Sequence, residues 1–546
     1  MGTARRRELW PRSLWRILPE TKSGSGSDDH DFGGGGFARS RLTPLKRVTT
    51  HRDRAAPRYF SKERFMVRAK EINQLSRKEK KDLGRRIESS DPGLEIVHRD
   101  VSGIDIGGRE HYVAVGPDRD AEPVRRFGCF TGDLHRMASW LKECGIRRVV
   151  MQSTGVYWIP VFDILEQHGF EVWLVNARET RNLPGRKSDV QESQWLLKLH
   201  TYGLLRQAFR PPAEIRAIRS CWRERGEYVQ QAGVCVQRLQ KALTEMNVQL
   251  STVISDLSGV TGMKILRAII AGEKDGQKLA EFRDPNVKAS KEMIAQSLEG
   301  TWLPEQLAIV KRQVEDWDHV QAQLKACDQD LEILLQNMPT AEAKTPAMDR
   351  GPALPLNPTK RERKKASRNQ PDFDIAAELA RLAGVDLTRI DGIKAMTVQT
   401  IISEAGLDMS KWETEHHFAS WLGLTPQNDT SGGKVVKKGT RKVLSRLATA
   451  LRTAATTLRL SDSYLGAQFR RFRSRLGPPK AITAMAAKLA RLVYRMLKYG
   501  EAYVDQGAVF YEEKFRQEQI KRITKQAARQ GFSLVPMAPL AQNAPV

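Results

Sequence analysis

The sequence predicts an α/β domain followed by a mainly α-helical remainder. Between Val101 and Gly203, short alternating apolar runs bounded by glycine are interspersed with runs of helical period. From Val229, apolar residues recur at steps of three and four. From Ile375 onward, helical period dominates, broken only by short Gly, Pro and Asn stretches.

The α/β part opens at Val101-Ser-Gly-Ile-Asp105-Ile-Gly107-Gly108-Arg-Glu-His-Tyr-Val-Ala-Val115. Two alternating runs around a glycine pair read as a β-hairpin, with Asp105 near the end of its first strand. An acid inside an apolar strand needs a partner. A second strand, residues 148–155, carries Gln152 and leads into a helix over 156–168. A third strand, 170–176, is followed by a basic loop over 178–187 and a helix over 188–203. Asp189 and Glu192 stand three apart on that helix and share one face. Strand-end and helix-start carboxylates at one sheet edge suit Mg²⁺, which takes oxygen ligands. Two such ions clamp the attacking and leaving oxygens of a phosphodiester. Taken singly, Asp189 and Glu192 also fit plain helix-start charges favoured by the macrodipole.

The whole chain of 546 residues has room for several domains. Its 90 Lys and Arg against 64 Asp and Glu give +26, which favours a polyanionic partner, nucleic acid or an acidic membrane surface. No apolar run approaches the roughly 20 residues of a spanning helix, and the N-terminus lacks an apolar signal core. Cysteines 129, 144, 221, 235 and 327 never stand in C-x-x-C spacing, which points to a reducing cytoplasm and no zinc site.

Residues 1–95 read as a basic, largely disordered extension. The first 65 hold 15 Lys and Arg, a Ser-Gly-Ser-Gly-Ser tract and four successive glycines. Two readings fit them equally: a disordered tail, or an upstream segment before a natural start at Met66. A charged helical stretch covers 67–89. The α/β domain spans 96–210 and a helical coiled-coil linker 211–338. In that linker Val229, Ala232, Val236, Leu239, Leu243, Met246, Leu250, Val253 and Leu257 form an unbroken seam. A second arm holds Leu307, Val310, Val314, Trp317, Leu324, Leu331 and Leu334. A dimer seam and an antiparallel hairpin within one chain both fit. Residues 339–372 are a flexible linker with a basic cluster at 360–365.

The domain over 373–510 is helical. Residues 387–406 resemble a helix-hairpin-helix, whose glycine turn at Gly392, beside Lys394, presents backbone N–H groups to a phosphate. A Pro/Gly/Asn-rich loop, Gly423-Leu-Thr-Pro426-Gln-Asn-Asp-Thr-Ser431-Gly-Gly-Lys434, lies between helices. Taken alone, Ser431 is a turn residue. From Ser431 to Gly500 there are 17 Lys and Arg against one acid, Asp462, a density suited to phosphates. Lys434, Lys437, Lys438 and Arg441 cluster after the serine. Arg470, Arg471, Arg473, Arg475 and Lys480 interleave with aromatics. Residues 481–499 form an amphipathic helix, and 511–546 a basic tail.

These motifs resemble one family. GIDIGG, MQSTGVYWIP (151–160), VNARETRNLPGRKSDVQESQWL (175–196) and KLHTYGLL (198–205) are similar to the RuvC-like domain of DEDD insertion-sequence transposases, the Piv/MooV-type recombinases. The Gly-Leu-x-Pro and Ser-Gly signature, the Arg-rich run and the phrase KAITA (480–484) are similar to their C-terminal domain. The resemblance spans roughly residues 95–510. It implies an RNase H-like (RuvC-like) fold, a coiled-coil linker and a helical transposase domain. It implies an acid tetrad on Asp105, Gln152, Asp189 and Glu192, with Gln where Glu is usual and Glu where the last Asp is usual. Mg²⁺ would be held by Asp105, Asp189 and Glu192, and Ser431 would be the nucleophile. It further implies double-stranded DNA (element ends or donor junction, and target) as substrate, a structured guide RNA, a homo-oligomer (dimer or tetramer) with composite sites, and a cytoplasmic, nucleoid-associated location. Two alternatives stand beside it: a metal-only nuclease of branched DNA, and an inactive element product that only binds nucleic acid.

Overall fold

A computed structural model describes residues 77–88, 92–152, 155–177, 188–341, 369–431, 434–437, 439–440, 443–500, 506–533 and 535. Both readings of residues 1–65, the loop 178–187, the basic cluster 360–365, Lys438 and Arg441 lie outside them. The chain divides into Met1–Val67 and Arg68–Val546, and every described residue belongs to the second unit.

Five strands form one mixed sheet: β1 (Val101–Ile106), β2 (Glu110–Ala114), β3 (Val124–Gly128), β4 (Arg148–Gln152) and β5 (Glu171–Val175), in the order β3-β2-β1-β4-β5. β1, β2 and β3 are antiparallel neighbours, with Asp105 opposite Tyr112. β4 and β5 run parallel to β1, with Ile104 opposite Met151. Four helices cover the sheet: α1 (Arg77–Glu88), α2 (Thr131–Glu143), α3 (Trp158–Gln167) and α4 (Asp189–Thr201). The two-residue period of each strand splits its side chains between two cores. Ile104, Val149 and Met151 pack with Met137 and Leu141 of α2 and Leu165 of α3. On the other face Val150 and Val175 pack with Trp195, Leu196 and Leu199 of α4.

Residues 1–95 are therefore not all an extension. Leu83 and Ile87 of α1, four apart on one helix face, are buried in that second core. β3 and α2 complete the sheet and its cover; the sequence reading assigned neither. A mixed α/β sheet followed by a helical remainder is consistent with an RNase H-like domain joined to a helical region.

A long stalk follows. α5 (Ala213–Glu245) and α10 (Pro304–Gln336) pack along each other. Ile215 and Ile218 share a core with Leu331 and Leu335, whereas Leu239 and Leu243 share one with Val310 and Val314. The arms are thus antiparallel within one chain. A buried ion pair, Arg225 with Asp328, joins them. The seam does not run on to Leu257. Met246 caps α5 and Asn247 takes φ +55°, which ends the helix. Leu250, Val253 and Leu257 instead pack among four short helices: α6 (Leu250–Val253), α7 (Val260–Ile270), α8 (Gly276–Ala280) and α9 (Lys291–Ser297).

The last region holds α11 (Ile375–Ala383), α12 (Ala395–Ala405), α13 (Glu415–Trp421), the strand pair β6 (Asp429–Ser431) and β7 (Lys434–Lys437), then α14 (Arg446–Thr457), α15 (Tyr464–Leu476), α16 (Pro478–Tyr499) and α17 (Gly507–Arg529). Its core extends onto the base of the stalk through Ile215 and Ile218. The described residues contain no helix long and apolar enough to cross a membrane.

Candidate active site and nucleic-acid surface

Gly103 fixes how the acids of the α/β region meet. A Cβ there would lie 2.3 Å from the Ser193 carbonyl oxygen and 2.5 Å from the Leu197 nitrogen, so only glycine lets α4 lie on β1. Asp105, two residues on, faces the same side. The direction of α4 follows from its far end, where the Thr201 carbonyl accepts from Val97 N (2.9 Å) and His98 N (3.0 Å), just before β1 begins. α4 therefore runs against β1, and its first turn lies toward the Asp105 end. That turn carries Asp189, exposed, and Glu192, half-buried. The Ser188 hydroxyl caps it, accepting from Gln191 N at 3.4 Å.

Gln152 closes the edge from the other side. It is the last residue of β4, and the register of Ile104 with Met151 sets it beside Asp105. Val150 packs against α4, so Gln152 faces the same side. It is 6% exposed, and its Nε2 has no hydrogen-bond partner among the described residues. Tyr157 stands over the β1–β2 turn: a Cβ on Gly108 would meet its ring at 3.3 Å. The tyrosine is exposed, and the sequence reading did not single it out.

The carboxylates and the amide are oxygen donors of the kind a hard cation takes. They share one edge without closing into a cage. Among the described residues, no three His, Cys, Asp or Glu side chains are grouped to hold a metal.

Ser431 lies elsewhere, in the C-terminal helical region. The expected loop is a short hairpin there: Ser431 ends β6 and pairs with Lys434 of β7. Gln427 N donates to the Gly439 carbonyl at 2.7 Å, and Pro426 bridges to Thr440. The helical period on both sides hides a strand pair this short.

The basic surface is partly committed to the fold. Gly392 has φ +84°, and a Cβ on it would meet the Ala454 carbonyl at 2.8 Å. It is a packing glycine against α14; Lys394 beside it is exposed. Arg470 donates to the Ser461 carbonyl at 2.6 Å. Arg471 pairs with Glu512 and lies 3.4 Å from the Phe515 ring centroid, pinning α17 to α15. Arg473, Arg475 and Lys480 are exposed. Burial, with Arg491 nearby, pushes the Lys488 ammonium down.

Two family models match these two regions. A DEDD transposase model of the IS110 type matches residues 102–248, and the transposase IS116/IS110/IS902 family matches residues 384–470. The chain belongs to the IS110-type DEDD transposases. The first match takes in Asp105, Gln152, Asp189 and Glu192 of this transposase, and the second takes in Ser431. No curated protein matches the chain. Transposases are enzymes that act on DNA, and the transposase carries both family regions in one polypeptide.

Proposed function

We propose that this transposase cuts and rejoins DNA with two sets of groups, a Mg²⁺ edge in an RNase H-like domain and a serine nucleophile. The observation that carries the reading is the edge itself. Asp105, Gln152 and the first turn of α4 come together from three elements far apart in sequence.

Asp105, Asp189 and Glu192 would hold the cation, and Gln152 would add a carbonyl oxygen. Mg²⁺ held there would neutralise charge on the scissile phosphate and activate an attacking oxygen. Ser431 Oγ would attack the phosphorus, forming an O–P bond as the 3′ oxygen of the cut strand leaves with a proton. The resulting 5′-phosphoserine conserves the bond for a new 3′ hydroxyl, whose attack releases the serine. Lys394, Lys434, Lys437, Lys438, Arg441, Arg473, Arg475 and Lys480 would meet phosphates, and Arg470 and Arg471 would shape that surface. The net +26 is compatible with a structured guide RNA beside double-stranded DNA. The working form would be a homo-oligomer in which edge and serine come from different protomers. The test is a trapped protein–DNA adduct on nicked element-end DNA with Mg²⁺. The native chain should give it and Ser431→Ala should not, while both bind; an adduct in the alanine variant would remove Ser431 from the chemistry.

A further inference from the structure

A second site lies away from the acid edge. Between α5, α12 and α14 runs a cleft of about 1170 Å³. Small-molecule pockets occupy roughly 300–1,000 Å³, so this one is large enough for a stretch of polymer. Its floor is held rigid. Arg223 grips the Glu404 carboxylate at 2.9 and 2.7 Å, and Arg219 donates to the Ser403 and Glu404 carbonyls at 2.9 and 2.8 Å. Trp222 Nε1 donates to Thr400 Oγ1 at 3.2 Å.

Three features say what the cleft takes. Trp222, Trp421 and Phe209 give its walls aromatic surface. Arg446 and Arg452 line it from α14, and neither has an ion-pair partner among the described residues. Gly226, inside the 33-residue α5, also lines the cleft, and a Cβ on it would meet nothing within 4 Å. Glycine inside a helix costs stability, and packing among the described residues does not require it here. Its position faces open space that only a large side chain would fill.

We infer that this cleft binds a single-stranded segment of nucleic acid, with bases against the tryptophans and phosphates on Arg446 and Arg452. Aromatic side chains combined with cations are how unpaired strands are held. In a duplex the bases stack on one another, leaving no face for a wall tryptophan. The inference rests on the transposase reading only in taking nucleic acid as partner, and its test uses no catalytic step.

The experiment is photocrosslinking of the full chain, in EDTA, to short oligodeoxythymidine and oligouridine strands carrying a 5-iodo pyrimidine, followed by peptide mapping. The expected result is adducts on Trp222 or Trp421 with at least one of the two sugars, the stronger arm identifying DNA or RNA. Gly226→Phe fills the cleft and should cut that adduct tenfold or more, while Gly226→Ala keeps it. Arg446→Ala with Arg452→Ala should lower the salt slope of oligonucleotide binding by about 1.4, at about 0.7 per cation. Adducts only outside the cleft, or an adduct untouched by Gly226→Phe, would overturn the inference. So would an acidic polypeptide that crosslinks there while oligonucleotides do not.

Discussion

Replacing Gln152 by glutamate changes one atom and one charge at the crowded end of the sheet. Gln152 is 6% exposed and sits beside Asp105 on the neighbouring parallel strand. Neighbouring strands lie about 4.8 Å apart, so the new carboxylate would stand about 5 Å from the old one. Like charges at that separation repel by about 3 kcal/mol at an effective dielectric of about 20. Losing the unpartnered Nε2 returns about 1 kcal/mol. Without a cation, Gln152→Glu should therefore be less stable than the native chain by about 2 kcal/mol. In a cooperative unit of domain size that lowers Tm by roughly 4–8 °C. Repulsion raises the folded-state pKa of the pair, so the loss is present at neutral pH and relieved as pH falls. Mg²⁺ should reverse it, because two carboxylates attract a divalent ion more than one carboxylate and an amide do. The assay is thermal melting in EDTA and in saturating MgCl₂, with Gln152→Leu as the uncharged control. The reasoning is refuted if the glutamate variant melts like the native chain in EDTA and gains nothing from Mg²⁺.

Ser431→Ala should abolish strand exchange on element-end DNA yet leave binding within twofold, measured by gel shift beside the exchange assay. Arg225→Ala should cost about 3–5 kcal/mol, because it leaves Asp328 buried and unpaired between the two arms; a denaturant midpoint equal to the native one would count against that. His200 is buried with neither ring nitrogen hydrogen-bonded among the described residues, and burial, followed by the charges of His98 and Arg148, pushes its pKa down to about 3. The unfolded chain then binds the extra proton between about pH 6.5 and 3. Stability from this site is full above 6.5 and falls by about 1.4 kcal/mol per pH unit below it. His200→Phe should flatten that part of the stability–pH curve, and an unchanged slope would show that the ring titrates normally.

The sequence reading found elements whose signal is local. The alternation around Asp105, the strand through Gln152 and the helix opening at Asp189 all appear within their own residues. It missed β3, because Val124-Arg-Arg-Phe-Gly is an edge strand with two arginines in five positions and no apolar alternation. It read a helix through α1 but not its burial, since only Leu83 and Ile87 mark the face that packs on the sheet. The heptad steps ran past Met246 because a spacing pattern cannot see the left-handed turn at Asn247. Of the site, the residue types were legible. Their meeting at one sheet edge was expected; the parallel pairing of β1 with β4 that sets Gln152 beside Asp105, and the packing of α4 over Gly103, were not. The cleft under α14 left no motif, since its walls come from several segments far apart in sequence, each ordinary by itself. Gly392 and Arg471 carried the right chemistry for phosphate, yet Gly392 packs on α14 and Arg471 on Phe515.

The central claim is that the Asp105 edge drives DNA recombination. The most direct measurement incubates purified chain and Mg²⁺ with DNA bearing both flanks of its own gene, together with their transcripts, and sequences the junctions formed. The native chain should produce new junctions. Asp105→Asn should produce none while binding the same DNA and keeping its circular dichroism spectrum. Junctions formed by Asp105→Asn at the native rate would contradict the account.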